Sequence, residues 1–243
     1  MRQEGCLKVR FPRTERNAWP GAVTLNTAGG VAGGDVLDSM VTAGPGTRAT
    51  VASQAAERFY RALPGTTAAV ATRLHVAPGA ALEWLPQEAI LFDGCALSRR
   101  LVVDMAEDAW FLGVESLVFG RTAMGEAVRE ARFRDLIQVR RGGRLVLHDA
   151  VRLDGPVQAV LDRRASGGGA RAVATIVHAA PDAGVRLDAL RAALMGWEAG
   201  ASAWDGLLVA RIAAPNGACL RRAVVAGLNV LRDGRPLPRV WEC

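Results

Sequence analysis

The chain has 243 residues, 50% of them hydrophobic and 22% charged, which is enough for one large domain and too apolar for wholesale disorder. The formal net charge is +6, and every cationic side chain except Lys8 is an arginine, spread along the chain; this points to an acidic partner, a nucleic acid or an anionic surface rather than to a basic tail. Cys6, Cys95, Cys219 and Cys243 lie too far apart for a Cys-x-x-Cys metal site and read as reduced cytosolic thiols, and no run is apolar enough to span a membrane.

Leu7 to Phe11 alternates apolar and charged residues, as a half-buried strand does. The run Asn26-Thr-Ala-Gly-Gly-Val-Ala-Gly-Gly-Asp35 follows, with strand-like residues on both sides. Its glycines suit a turn or a close backbone approach. A phosphate cradle would need a following Lys-Ser or Lys-Thr, or a G-x-G-x-x-G spacing, and neither is present. Val36 to Thr42 reads as a strand and Gly44-Pro-Gly46 as a turn. Thr47 to Tyr60 is rich in small residues and reads as strand or short helix, with Glu57 and Arg58 as a solvated pair. Val70 to Val76 is a further strand.

Leu82-Glu-Trp-Leu-Pro-Gln-Glu-Ala-Ile-Leu-Phe92 must bulge or break at Pro86, which has no N–H for a central ladder. Glu88 then stands between apolar neighbours, either turned to water or partnered in the interior. Leu97 to Met105 and Trp110 to Phe119 read as strands, the second interrupted by Glu115. Gly120 to Glu126 reads as a loop. Arg140-Arg-Gly-Gly143 reads as a hairpin turn between Leu136–Val139 and Leu145–Leu147. Val173 to His178 and Leu207 to Ile212 are strands. Leu187 to Trp197 has the best helical pattern, with Asp182 as the cap of a longer version, and Cys219 to Leu231 favours helix over strand. No internal repeat is visible. His75, His148 and His178 lack a second ligand at metal-binding spacing, Glu107-Asp108 reads as a solvated loop, and no catalytic motif appears.

Four blocks, in order, resemble the signatures of the urease accessory protein UreD (UreH) family: Asn26 to Asp35, Thr50 to Arg61, Leu82 to Phe92 and Gly120 to Glu126. The second departs from the family in having Glu57-Arg58 where Thr-Lys is common. Pro238-Arg-Val-Trp241 resembles the family's C-terminus, and the first residues resemble its early segment, ahead of which members carry further strand sequence.

The resemblance implies one domain over residues 1–243, mainly β, with mixed sheets in a two-layer, helix-like arrangement and a few α-helices. It also implies a non-enzymatic cytoplasmic scaffold that joins UreF and the GTPase UreG on the urease apoprotein and helps deliver nickel along a wet interior path. No cofactor is held permanently on this reading, nickel is only in transit, and neither nucleic acid nor membrane is a partner. Asp35, Glu88 and Glu126, one carboxylate in each of three blocks, are the expected nickel contacts, with Arg61 and Arg121 balancing their charge. Weak oxygen contacts suit transit, whereas nitrogen or sulfur ligation would trap the ion. The competing readings are a basic nucleic-acid-binding module, for which aromatics are few at 5%, and a nucleotide-binding protein using the glycine loop.

Overall fold

Proline and glycine at the corners and alternating side chains between them wind the first half of the chain into a coil. The computed structural model describes residues 1–14, 18–121 and 125–242. β1 (Leu7–Arg10) pairs antiparallel with β2 (Gly21–Asn26). From there the chain alternates between two layers. β3 (Val36–Ala43), β6 (Ala68–Val76), β9 (Ala96–Met105) and β11 (Ala131–Arg141) stack in parallel as the first sheet, and β12 (Arg144–Gly155) adds an antiparallel edge. β2, β4 (Arg48–Ser53), β7 (Ala81–Leu85) and β10 (Trp110–Phe119) stack in parallel as the second sheet. That sheet continues antiparallel through β13 (Ala172–Ala179) and β15 (Leu207–Ala214) to the edge strand β14 (Glu198–Trp204).

Short β5 (Glu57–Phe59) and β8 (Ala89–Leu91) make a third side of the coil. This is the two-layer, helix-like β architecture that the resemblance implies. It is also a structural repeat, since β4, β7 and β10 begin at Arg48, Ala81 and Trp110 in successive circuits. The sequence hides the repeat because only side-chain direction recurs, while residue types and circuit lengths vary. Pro86 has the predicted effect: β7 ends at Leu85 and β8 begins at Ala89.

The helices come late: α1 (Val157–Asp162), α2 (Leu187–Ala193) and α3 (Gly217–Leu231). α2 is shorter than its pattern, because Gly196, at φ +86°, turns the chain into β14. Asp182 caps no long helix; it precedes a 3-10 turn at Ala183–Arg186 and makes no side-chain cap. α3 starts at Asn216, whose side chain accepts a hydrogen bond from Cys219 N at 2.8 Å.

The second sheet is apolar on both faces, so it sits in the middle of the molecule. Leu112, Val114, Ile176 and Leu208 pack with Leu220, Val224 and Leu228 of α3 and Leu190 of α2. Its other face meets the first sheet in two apolar clusters, one containing Leu82, Val103, Phe111 and Val139, the other Phe59, Leu91, Leu97 and Phe133.

Candidate functional site

The four sequence blocks converge on the third side of the coil. Val31, Phe59, Leu91 and Phe119 sit on successive rungs and are all buried. Backbone hydrogen bonds join the rungs: Tyr60 N to Val31 O, Phe92 N to Phe59 O, and Gly120 N to Leu91 O. The glycines are needed for this approach. A Cβ on Gly30 would collide with the Tyr60 ring and stand 2.9 Å from Arg58 O, and one on Gly33 would meet Ala62 and Thr66. The glycine run is followed by β3 rather than by a helix, so it lacks the helix N-terminus of a phosphate cradle.

Outside this column, Tyr60 donates to Gly29 O at 3.0 Å and packs edge-on against Phe92, over which Arg121 lies. Asp35 is exposed and accepts from Ala32 N. Glu126 pairs with Arg121 at 2.7 Å, and residues 122–124 of that block lie outside the described residues. Arg61 pairs with none of the three expected contacts; it binds Asp93 at 2.6 Å. Burial opposes the Asp93 charge, but the Glu130 and Arg129 N–H groups and Arg61 outweigh it and hold the carboxyl below its ordinary range. Glu88 is half-buried on the helix side of the second sheet, 3.3 Å from Arg221 of α3. The structure therefore brings Arg121 and Glu126 together and leaves Asp35 and Glu88 apart in separate hydrogen-bonded settings. Glu57 is not a solvated partner of Arg58: it turns inward to accept from Asn26 Nδ2 at 3.2 Å, and burial raises its pKa.

A second feature lies between the sheets, where they splay toward their edges β12 and β14. A cavity of about 510 Å³ opens there, lined by Glu115 and Leu117 of β10, Asp135 of β11, Asp149 of β12, Thr175 of β13 and Glu198 of β14, among others. Glu115 and Asp135 share one cation: Arg99 of β9 binds Glu115 Oε2 at 2.7 Å and both Asp135 oxygens at 2.9 and 2.6 Å. Trp84 Nε1 donates to the other Glu115 oxygen at 2.9 Å.

Burial raises the Glu115 pKa, Arg99 counters this, and Asp135 adds to it. Burial also works against the Arg99 charge, but Asp135 and Glu115 outweigh it and push the guanidinium above its ordinary value. Arg211, on β15, pairs with Asp149 at the rim. None of the five residues expected from the sequence lines this cavity. Among the described residues no group of three or more His, Cys, Asp or Glu side chains is placed to hold a metal, so the cavity offers dispersed oxygen donors rather than a chelate. Sequence reading missed these residues, although Glu115 gave a signal as the one charge inside an apolar strand.

The Leu82–Phe92 block also anchors the C-terminal segment. Glu83 is fully buried; it accepts from Thr50 Oγ1 at 2.6 Å, from Arg232 at 2.9 and 3.0 Å, and from Arg235 at 2.9 Å. Arg235 lies 4.1 Å over the Trp19 ring, and Trp19 packs edge-on against Trp110. Gln87 donates to Val240 O, Arg221 to Gln87 Oε1 and Trp241 O, and Trp241 Nε1 to Leu85 O. His178, fully buried beside Trp110, is bonded through Nδ1 to Phe111 O, and its Nε2 has no hydrogen-bond partner among the described residues. His75 and His148 are exposed, and Cys6, Cys95 and Cys219 are free thiols. Among the described residues no helix is long and apolar enough to cross a membrane.

Comparison with known proteins adds the following. The sequence profile of the UreD urease accessory protein family matches residues 1–242. The chain is 51% identical over 247 residues to the urease accessory protein UreD of Methylobacterium sp. (strain 4-46), covering 99% of this chain and 86% of the relative. It is 48% identical over 240 residues to the UreD of Rhizobium leguminosarum bv. viciae, covering 99% and 87%. It is 47% identical over 242 residues to the urease accessory protein UreD 2 of Methylorubrum populi (strain ATCC BAA-705 / NCIMB 13946 / BJ001), covering 98% and 81%.

Proposed function

The chain belongs to the UreD urease accessory protein family, and we propose that within urease maturation it is a non-enzymatic cytoplasmic scaffold. It joins UreF and the GTPase UreG on the urease apoprotein, and nickel passes through its interior without being stored. The observation that carries this reading is the cavity between the sheets, with Glu115, Asp135, Asp149 and Glu198 in its wall. Carboxylates attract a divalent cation by charge, and their dispersal keeps each contact weak enough to release it. Asp35, Glu88 and Glu126 are proposed as further contacts outside the cavity, with Arg61 and Arg121 as neighbouring countercharges.

The test is co-expression of urease with accessory proteins carrying Glu198→Gln, Asp149→Asn or Glu115→Gln. Nickel per urease active site and co-purification with UreF are both measured. The expected result is retained assembly with nickel content reduced severalfold. Full nickel loading by all three variants would refute the interior path.

A further inference from the structure

The first sheet ends at β3, which is bonded only to β6. Ala69 N donates to Asp35 O and Ala77 N to Ala43 O, so by alternation Leu37, Ser39 and Val41 also turn their backbone groups toward β6. The N–H and C=O groups of Val36, Asp38, Met40 and Thr42 point the other way, and no described residue bonds to them. Sheet edges are ordinarily blunted, and those at β1, β14 and β12 are. β1 has four residues, and Gln3 Oε1 accepts from Val9 N at 2.9 Å. On β14, Arg191 donates to Ala201 O at 2.9 and 3.1 Å. β12 carries Arg144, Asp149, Arg152 and Asp154. β3 has a single charge, Asp38, already paired with Arg73 at 2.7 Å, and its outward Val36 and Met40 are 74% and 77% exposed.

The space beside β3 has a floor. Val41 and Ala43 pack with Ala22 of β2 and Val51 of β4, so β3 lies over those two strands. The second sheet runs on past β2 to β1, and among the described residues no strand of the first sheet lies opposite β1. Leu7 and Val9 stand level with Asn26 and Thr24, on the face of β2 that carries Ala22, so they look up into this space. Both are only half-buried, and neither joins an apolar cluster. The slot is therefore about one strand wide, with an open row of backbone groups as its wall and two apolar side chains beneath. A second copy of the chain does not fit it edge to edge. Pairing β3 with its counterpart would drive β1 and β2 of the two chains into the same space.

We propose that this slot receives one extended segment of a partner protein, added to the first sheet as a strand beside β3. The free N–H and C=O groups of β3 hold its backbone, as in other strand additions. Its side chains alternate: apolar residues point down onto Leu7 and Val9, and polar residues point outward beside Val36, Asp38, Met40 and Thr42. A helix cannot satisfy a row of strand backbone groups, and a nucleic acid would meet a wall whose one carboxylate is paired and a floor without charge. The inference rests on backbone geometry and requires neither the scaffold role nor the interior path.

The test measures residue-resolved amide hydrogen exchange and light-scattering mass of the full chain, alone and with a synthetic probe peptide. The peptide alternates valine with threonine or lysine, and a second peptide of the same composition has its valines contiguous. In the free protein the amides of Val36, Asp38, Met40 and Thr42 should exchange fast and those of Leu37, Ser39 and Val41 slowly. The alternating peptide should slow the first four at least tenfold, and the contiguous one should not. Met40→Pro removes one outward N–H and leaves the ladder to β6 intact, a position where an edge strand tolerates proline; it should weaken peptide binding at least tenfold with β3 still protected on its β6 side. Val9→Glu, which puts a charge on the floor, should weaken binding as much and serves if the proline variant does not fold. Four outward amides that stay fast at saturating peptide overturn the inference, as does equal protection by both peptides or unchanged binding by the folded variants. Protection already present in a free protein of twice the chain mass, lost with that mass in Met40→Pro, also overturns it, in favour of a second copy. None of these outcomes bears on nickel delivery, so the scaffold reading stands or falls separately.

Discussion

Replacing Glu83 with alanine should be the most damaging single truncation of a charge in this protein. The carboxylate is fully buried and accepts four hydrogen bonds, one from Thr50, two from Arg232 and one from Arg235. In Glu83→Ala the Arg232 guanidinium, 1% exposed, keeps only the carbonyls of Arg235 and Pro236 as acceptors. Removing one partner of a buried pair costs about 3–5 kcal/mol because the remaining charge is uncompensated. For a chain of this size that is a fall in melting temperature of roughly 6–20 °C. The assay is denaturant and thermal unfolding of Glu83→Ala, Arg232→Met and the double variant Glu83→Met/Arg232→Met. The double variant, which leaves neither member of that pair behind, should recover most of the loss. Refutation would be a loss below about 1 kcal/mol in Glu83→Ala, or a double variant no better than the worse single one; either would mean that packing rather than charge holds the C-terminal segment.

Two further outcomes follow from the buried groups. Burial lowers the His178 pKa from its ordinary 6.5, so below that pH the unfolded chain takes up a proton that the folded chain refuses, and stability falls as pH drops through 6.5; His178→Gln should flatten the acid side of a stability–pH curve, and an unchanged slope would refute this. Gly30→Ala should cost roughly 1–3 kcal/mol through collision with Tyr60 and Arg58 O, measured by denaturant unfolding, whereas the same change at the open, positive-φ Gly29 should show only backbone strain and no lost Tyr60 packing.

What was legible in the sequence was what depends on near neighbours. The apolar run Trp110–Phe119, the missing N–H of Pro86 and the spacing of Leu220, Val224 and Leu228 each state a local requirement, and each element formed where expected. The glycine run was legible as a close approach, but not its target, because Tyr60 and Thr66 are brought to it only by the winding of the coil. The site residues were the hardest to read. Glu88 and Glu115 each look in one dimension like a carboxylate set into an apolar stretch; strand direction sends Glu88 toward α3 and Glu115 toward Arg99 and Asp135. The edge strand β14 was missed because Glu198–Trp204 is made of small residues whose only strand-forming reason is the neighbouring β15.

The Glu83–Arg232 pair also sets an order of events during synthesis. The two residues are 149 positions apart. At about 5–20 residues per second, the carboxylate of β7 is synthesised roughly 7–30 s before its countercharge. Through that interval the coil can wind and its inner clusters can close, but the face that carries Glu83 must stay wet. The last stretch of the chain thus acts as a stopper: the finished middle layer is sealed only when residues 232–241 arrive and lie across it.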